Sequence, residues 1–291
     1  MANLKEIRIR ISSTISTQQI TKAMKLVSAT KLRKAQGAIT QMRPYSGKLF
    51  GMLANLAGSI EDASLAKYFE NREVKKVLII VLTSDRGLCG AFNSNVIKKT
   101  RSLLESKYAH LGKENITLMC IGKKAAEFFT KLGYNVNLQY RDTFQNLTAE
   151  AGFEVGDTVF EHFLSGKYDR VDLVYNQFKN AATQIVRDDQ YLPVDIDSLE
   201  ASESNVSYIF EPSKVEILND LIPRALKTKL YSAMLESFAS EHGARMVSMD
   251  KATENAGDLL KQLRLKYNQA RQAAITNEIS EIVGGAAALE G

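Results

Sequence analysis

The sequence predicts an α/β protein with two long terminal helices, paired antiparallel, on either side of a central layer in which strands and helices alternate. Three observations predict it. Chain breakers are missing from both ends: no glycine precedes Gly37, no proline precedes Pro44, and none follows Pro223. Charge is lopsided, since residues 1–48 hold ten Lys and Arg against the single acid Glu6, residues 49–211 hold 18 against 22, and residues 212–291 hold ten of each. Residues 77–83, Val-Leu-Ile-Ile-Val-Leu-Thr, form an apolar β-branched run that is too short for a buried helix.

The first segment carries apolar residues at Leu4, Ile7, Ile11 and Ile15, then Ile20, Met24 and Val27, then Met42, Leu49, Leu53, Leu56 and Ile60. Most are three, four or seven apart, which is a helical stripe with polar gaps at Thr14, Gln18 and Lys31. The last segment repeats the rhythm at Ala252, Ala256, Leu259, Leu263, Tyr267, Ala270 and Ala274, and on through Ile275, Ile279, Ile282 and Val283. At ~1.5 Å per residue these rods run to about 80 Å and about 105 Å, too long for the inside of a compact domain. A narrow stripe on such a rod needs another helix to cover it, and the other terminal rod is the available partner. Because one rod enters the central layer and the other leaves it, their pairing is antiparallel.

Between them, the strand at Val77 to Thr83 is followed by the turn Ser84 to Gly90, and then by alternating elements. These are a helix from Asn93 to Tyr108, a strand from Ile116 to Ile121, a helix from Lys123 to Leu132, an extended piece from Val136 to Tyr140 and a helix from Thr148 to Leu164. Strands follow near Arg170 to Phe178, Thr183 to Leu192 and Val206 to Phe210. Such alternation implies a Rossmann-like layer with a mainly parallel sheet and a hairpin at its end. The expected division is therefore 1–60 for the N-terminal coiled-coil helix, 70–211 for the central α/β domain and 212–291 for the C-terminal coiled-coil helix.

Composition excludes several classes. Two cysteines, Cys89 and Cys120, cannot make a disulfide framework. No apolar run approaches the ~20 residues that span a bilayer, and Met1 to Arg10 is charged where an export signal is apolar. His110, His162 and His242 stand singly, with no metal-ligand spacing around them. The turn Ser84-Asp85-Arg86-Gly87-Leu88-Cys89-Gly90 sits where α/β folds often bind phosphate, yet its spacing is G-x-x-G and no Gly-Lys pair completes a phosphate loop. Gly87 and Gly90 are read as serving the turn and helix packing, and Cys89 as a packed thiol. Catalytic residues, a cofactor and a metal are not expected. The nearly acid-free first 48 residues are too one-sided for pairing along one helix, so an external anion, phosphate or carboxylate, is expected against them. Tyr45 is the first aromatic residue, which disfavours single-stranded nucleic acid.

Three runs, in order, carry a resemblance. The first is Ile7-Arg8 with Arg10-Ile11, leading into Thr17-Gln18-Gln19-Ile20-Thr21-Lys22-Ala23-Met24-Lys25-Leu26-Val27-Ser28-Ala29-Thr30-Lys31. The second is Thr83-Ser84-Asp85-Arg86-Gly87-Leu88-Cys89-Gly90-Ala91-Phe92-Asn93. The third opens with Ala244-Arg245-Met246, passes through Tyr267-Asn268 and Ala270-Arg271-Gln272-Ala273-Ala274-Ile275-Thr276, and closes on Glu281-Ile282-Val283-Gly284-Gly285-Ala286-Ala287. On these the chain resembles, over essentially its whole length, the gamma subunit of F-type ATP synthases, bacterial type.

The resemblance implies a noncatalytic rotor shaft that turns inside a ring of three alpha and three beta subunits. Its central domain would rest with the epsilon subunit on the membrane c-ring, without nucleic acid and without direct membrane insertion. By the family pattern Met24 lies near Arg245 and Gln272 and these make rotor-stator contacts, while Ile282, Val283, Gly284, Gly285 and Ala286 form a bearing tip. Tyr208, Phe210 and Glu211 match the family's foot. With no cysteine-bearing insertion and no cleavable leader, the expected place is the cytoplasmic side of a bacterial inner membrane, peripherally attached.

Overall fold

A computed structural model of the 291-residue chain describes residues 4–57, 67–195, 211 and 213–290, with side chains to 286. Two helices dominate it, α1 (Leu4–Ala57) and α5 (Lys214–Glu290). The chain divides into two compact units, residues 1–28 with 246–291, and residues 29–245, so that each of these helices contributes to both.

In the first unit α1 and α5 run antiparallel, because the residue number falls along α5 as it rises along α1. Gln18 Nε2 donates to the Thr253 carbonyl at 3.3 Å, Thr21 and Thr253 share a hydroxyl hydrogen bond of 2.8 Å, and Lys25 meets Asp250 at 2.5 Å. One series of inward positions runs along each helix, Ile7, Ile11, Thr14, Gln18, Thr21, Lys25 and Ser28 on α1, and Met249, Thr253, Ala256, Leu260, Leu263, Tyr267, Ala270 and Ala274 on α5, and Leu4, Ile15, Met24, Ala252 and Gly257 are half-buried beside them. Both series step by four and three without a break, which is the seven-residue repeat of a coiled coil.

That repeat corrects the stripe read from apolar residues. Ile20 is 59% exposed and Val27 faces water too, while Thr21 and Ser28 are buried. On α5 it is Leu260 that is buried and Leu259 that is exposed. The period of 3.5 decides the seam, and polar residues can hold seam positions because they find partners across it.

The second unit is built on a five-stranded sheet of order β3-β2-β1-β4-β5: β1 (Val77–Leu82), β2 (Ile116–Ile121), β3 (Asn135–Asn137), β4 (Arg170–Phe178) and β5 (Gln184–Leu192). β1 pairs in parallel with β2, Val77 opposite Ile116, and with β4, Val77 opposite Arg170, while β4 and β5 form the antiparallel hairpin. The helices are α2 (Phe92–Ser106), α3 (Lys123–Lys131) and α4 (Ala149–Leu164).

Successive residues of β1 point to opposite faces, so both faces carry a core. Leu78, Ile80 and Leu82 pack with Val155, Val159 and Phe163 of α4, with Leu53 and Leu56 of α1 and with Leu226 and Leu230 of α5. Val77, Ile79 and Val81 pack with Val96 and Leu103 of α2 and Phe129 of α3.

Local chemistry moved several ends. β1 stops at Leu82 because Thr83 turns its hydroxyl to accept the Ala125 amide at 3.0 Å, and Thr148 stands outside α4 as its cap, accepting from the Ala151 amide at 3.2 Å. The extended piece expected over 136–140 shortens to β3, and a 3₁₀ turn follows at Thr143–Asn146. α5 begins before Pro223 and takes it inside, because Leu218, Ile222, Ala225 and Leu226 are buried and that packing outweighs a proline's penalty in a helix. The strand expected over 206–210 lies outside the described residues.

Candidate functional site

In the second unit the turn Ser84 to Gly90 leaves the carboxyl end of β1 and is tied down from within. Asn93 accepts the Ser84 amide at 2.9 Å and donates to the Ser84 hydroxyl at 2.7 Å, and that hydroxyl donates to the Arg86 carbonyl at 2.6 Å. Leu88 sits at φ 63° and Gly90 at φ 58°. The left-handed region costs glycine nothing and leucine about 1 kcal/mol or more, so the turn at Leu88 is held rather than relaxed. The Leu88 side chain is 64% exposed, whereas its neighbour Cys89 is buried with Phe92 and Ala244.

The holding group comes from α5. Arg245, 7% exposed, donates through Nη2 to the Arg86 carbonyl at 2.9 Å, through Nε to the Gly87 carbonyl at 3.2 Å and through Nη1 to Glu241 Oε1 at 2.6 Å. Its planar fork reaches three separated acceptors from three different nitrogens, a spread that the single nitrogen of an ammonium lacks. Burial pushes the Glu241 carboxyl up while Arg245 pulls it down. His242 packs edge-on against Phe238, ring centres 4.5 Å apart, with Nε2 buried and unpartnered. Burial first, then the charges of Arg245 and Lys31, lower its pKa to about 3, so it is neutral at pH 7. Burial likewise raises the Cys89 thiol, which therefore stays protonated.

Arg245, Glu241 and the two turn carbonyls are thus paired with one another, while His242 Nε2 is left over. Open grooves lie elsewhere: one of ≈ 510 Å³ is lined by Ile97, Lys98 and Arg101 of α2 with Lys124 and Phe128 of α3, and one of ≈ 340 Å³ follows the coiled-coil seam past Gln18, Lys22, Lys25, Asp250 and Thr253. Among the described residues no three His, Cys, Asp or Glu side chains are grouped to hold a metal ion, and no helix is long and apolar enough to cross a membrane.

Of the residues singled out in the sequence, Met24 is half-buried and Gln272 exposed, both in the first unit, whereas Arg245 is the last residue of the second. Ile282, Val283, Gly284, Gly285 and Ala286 are helical and exposed. Glu211 is exposed, and Tyr208 and Phe210 lie outside the described residues. Sequence reasoning missed Glu241, His242 and Leu88. The i,i+4 spacing of Glu241 and Arg245 was a signal for the first; nothing in the string marks Leu88.

Set beside known proteins, the chain matches the family model described as ATP synthase over residues 3–289. It is 55% identical to the ATP synthase gamma chain of Cytophaga hutchinsonii over 293 residues, 99% of each chain. It is 55% identical to that of Flavobacterium johnsoniae over 291 residues, all of each chain. Among solved structures it resembles a chain of the Tetrahymena thermophila mitochondrial ATP synthase central stalk and c-ring, with TM-score 0.58, 26% identity and coverage of 80% of this chain and 99% of that one. A chain of the Euglena gracilis mitochondrial ATP synthase, in its third rotational state, shares the fold at TM-score 0.66, 20% identity and coverage of 98% and 94%. A family match over residues 3–289 and identity above half, end to end, with two bacterial ATP synthase gamma chains lead to one assignment: the chain belongs to the ATP synthase gamma-chain family.

Proposed function

We propose that this chain is the central rotor shaft of a proton-translocating F-type ATP synthase. It couples ion-driven rotation of the membrane ring to sequential conformational changes in catalytic beta subunits, or runs in reverse on hydrolysis. One observation carries the reading: two terminal helices close on each other along an unbroken seven-residue repeat and still turn apolar side chains outward. Ile9, Ile20 and Val27 on α1 and Leu265, Ile275, Ile279 and Ile282 on α5 are all exposed. Apolar residues on the outer faces of a coil are stabilised by a sleeve, and a ring of three alpha and three beta subunits is that sleeve.

The mechanism is mechanical. An asymmetric shaft touches the members of a threefold ring unequally, so each beta subunit is biased toward a different state, and turning the shaft passes the biases around. Moving one site from 1:99 to 99:1 takes about 5.5 kcal/mol of differential contact, within reach of a few polar contacts and some packing. The chain itself is noncatalytic: the protonated, buried thiol of Cys89 and the buried, neutral His242 support that reading, and bond making belongs to partner subunits.

Met24, Arg245 and Gln272 remain our candidate coupling residues, Ile282 to Ala286 the bearing tip, and Tyr208, Phe210 and Glu211 the foot toward the epsilon subunit and c-ring. The segments 1–60 and 212–291 then serve as the shaft and 70–211 as the domain that joins it to the foot. The complex sits peripherally on the cytoplasmic side of a bacterial inner membrane.

The test is rotation. With a ring of alpha and beta subunits fixed to glass and a bead coupled through Lys179→Cys, an exposed position, ATP should turn the bead in one direction. ATP turnover beneath a motionless bead ends the proposal. In the same assembly Arg245→Ala with Gln272→Ala should lower ATPase without preventing assembly.

A further inference from the structure

The rotor reading makes Arg245 a coupling residue by contact with the stator, yet its guanidinium is engaged inside this chain. We propose that Arg245 is a positioning residue: with Glu241 it clamps the Ser84 to Gly90 turn to α5, and it acts on coupling through the turn that holds Leu88 outward, not by touching a partner subunit itself.

Four structural observations carry this. Arg245 spends three of its nitrogens on the Arg86 and Gly87 carbonyls and on Glu241, at 2.6–3.2 Å. The residue that follows those two carbonyls is the leucine at positive φ, a conformation that persists only where its surroundings impose it. Leu88 is exposed while Ser84, Cys89 and Phe92 beneath the turn are buried, so the turn presents one large apolar side chain on a fixed base. Glu241 is buried as well and reaches no surface, so its only reading is as the anchor of Arg245. A buried ion pair of this kind contributes little net stability but leaves a costly orphan charge when one member is removed, which suits a residue that fixes one geometry among several.

The two cysteines make the clamp measurable. Cys89 lies in the turn and Cys120 is the next-to-last residue of β2, both buried. In the purified full chain N-ethylmaleimide should alkylate both slowly. In Arg245→Gln, Cys89 should react faster by about tenfold or more, the effect of one lost charge-assisted hydrogen bond on a local opening equilibrium, with Cys120 unchanged. The direction is diagnostic, because Arg245 lowers the Cys89 pKa and its removal alone would slow the thiol. Arg245→Lys, which keeps the charge and loses the fork, should also speed Cys89. Unchanged Cys89, or faster reaction of both cysteines, overturns the clamp.

The second arm rests on the rotor reading and is read in the complex assembled with alpha and beta subunits. Glu241→Gln leaves Arg245 in place and alters no surface. If Arg245 works through the turn, this variant should lose ATPase to the same degree as Arg245→Gln. Full ATPase in Glu241→Gln beside a loss in Arg245→Gln assigns Arg245 to direct contact and overturns the proposal. A complex that hydrolyses ATP without rotation would instead overturn the rotor reading, leaving the thiol result standing.

Discussion

His242 and Glu241 are neighbours on α5 with opposite responses to burial, and acid should tell them apart. His242 has a folded pKa near 3 against about 6.5 unfolded, so between those values the unfolded chain binds the extra proton. Its contribution is complete above pH ~6.5 and is lost as pH falls, at up to about 1.4 kcal/mol per pH unit. Glu241, raised in the folded chain, binds its proton more tightly there and opposes that loss in its own range. Urea unfolding should therefore show stability falling by about 2 kcal/mol from pH 6.5 to 5 on account of His242. His242→Gln should flatten that slope, and an equal slope in the variant would show that the imidazole is solvated. None of this is written in the string, where His242 is one of three scattered histidines. Its burial depends on Phe238 one turn earlier and on Arg245 one turn later, which a linear reading does not weigh.

Elements were more legible than their faces. β2 falls where its apolar run places it, because a strand buried on both sides is mostly apolar, whereas β4 buries Asp172 and Asn176 by pairing them with Tyr108, Arg170 and the Phe92 carbonyl. The two long helices and their antiparallel direction were legible but the seam was not, since residues such as Thr21 and Ser28 sit inside by period rather than by hydrophobicity. Thr21 and Thr253 test that point. Replacing either one by Val removes the shared hydrogen bond and leaves the other hydroxyl only its own-helix acceptor, the Gln18 carbonyl for Thr21 or the Met249 carbonyl for Thr253. This should cost about 1 kcal/mol, whereas Thr21→Val with Thr253→Val should be nearly neutral. Thermal melts of the four chains give the coupling energy; additive costs would mean that the two hydroxyls do not depend on each other. Gly122, between β2 and α3, is at φ 102°, and a Cβ there would lie 1.9 Å from the Thr83 carbonyl oxygen. Backbone cannot yield as a side chain does, so Gly122→Ala should destabilise the sheet by about 3 kcal/mol or more, read from its urea midpoint.

At the scale of the whole molecule the uneven charge becomes a statement about kinetics. Ten basic residues against one acid in residues 1–48 attract any acidic surface from a distance, and that attraction is screened by salt. Assembly with alpha and beta subunits, followed by stopped flow, should slow about tenfold between about 50 and about 300 mM salt, while dissociation changes less. An association rate indifferent to salt would assign recognition to the apolar faces alone. This much was visible in the composition, because charge needs no fold to be counted.

Beyond Ala274 every described side chain of α5 up to Ala286 faces water, Ile275, Ile279, Ile282 and Val283 among them. A helix end without a neighbour frays, and frayed apolar segments are what housekeeping proteases grip. A surplus copy therefore carries its own disposal mark, erased only when the end is sheathed. Brief digestion with thermolysin, which cuts before isoleucine and valine, should trim the solitary polypeptide in this stretch and spare it once subunits surround it. Equal survival in both states would mean that the cell has to count its copies some other way.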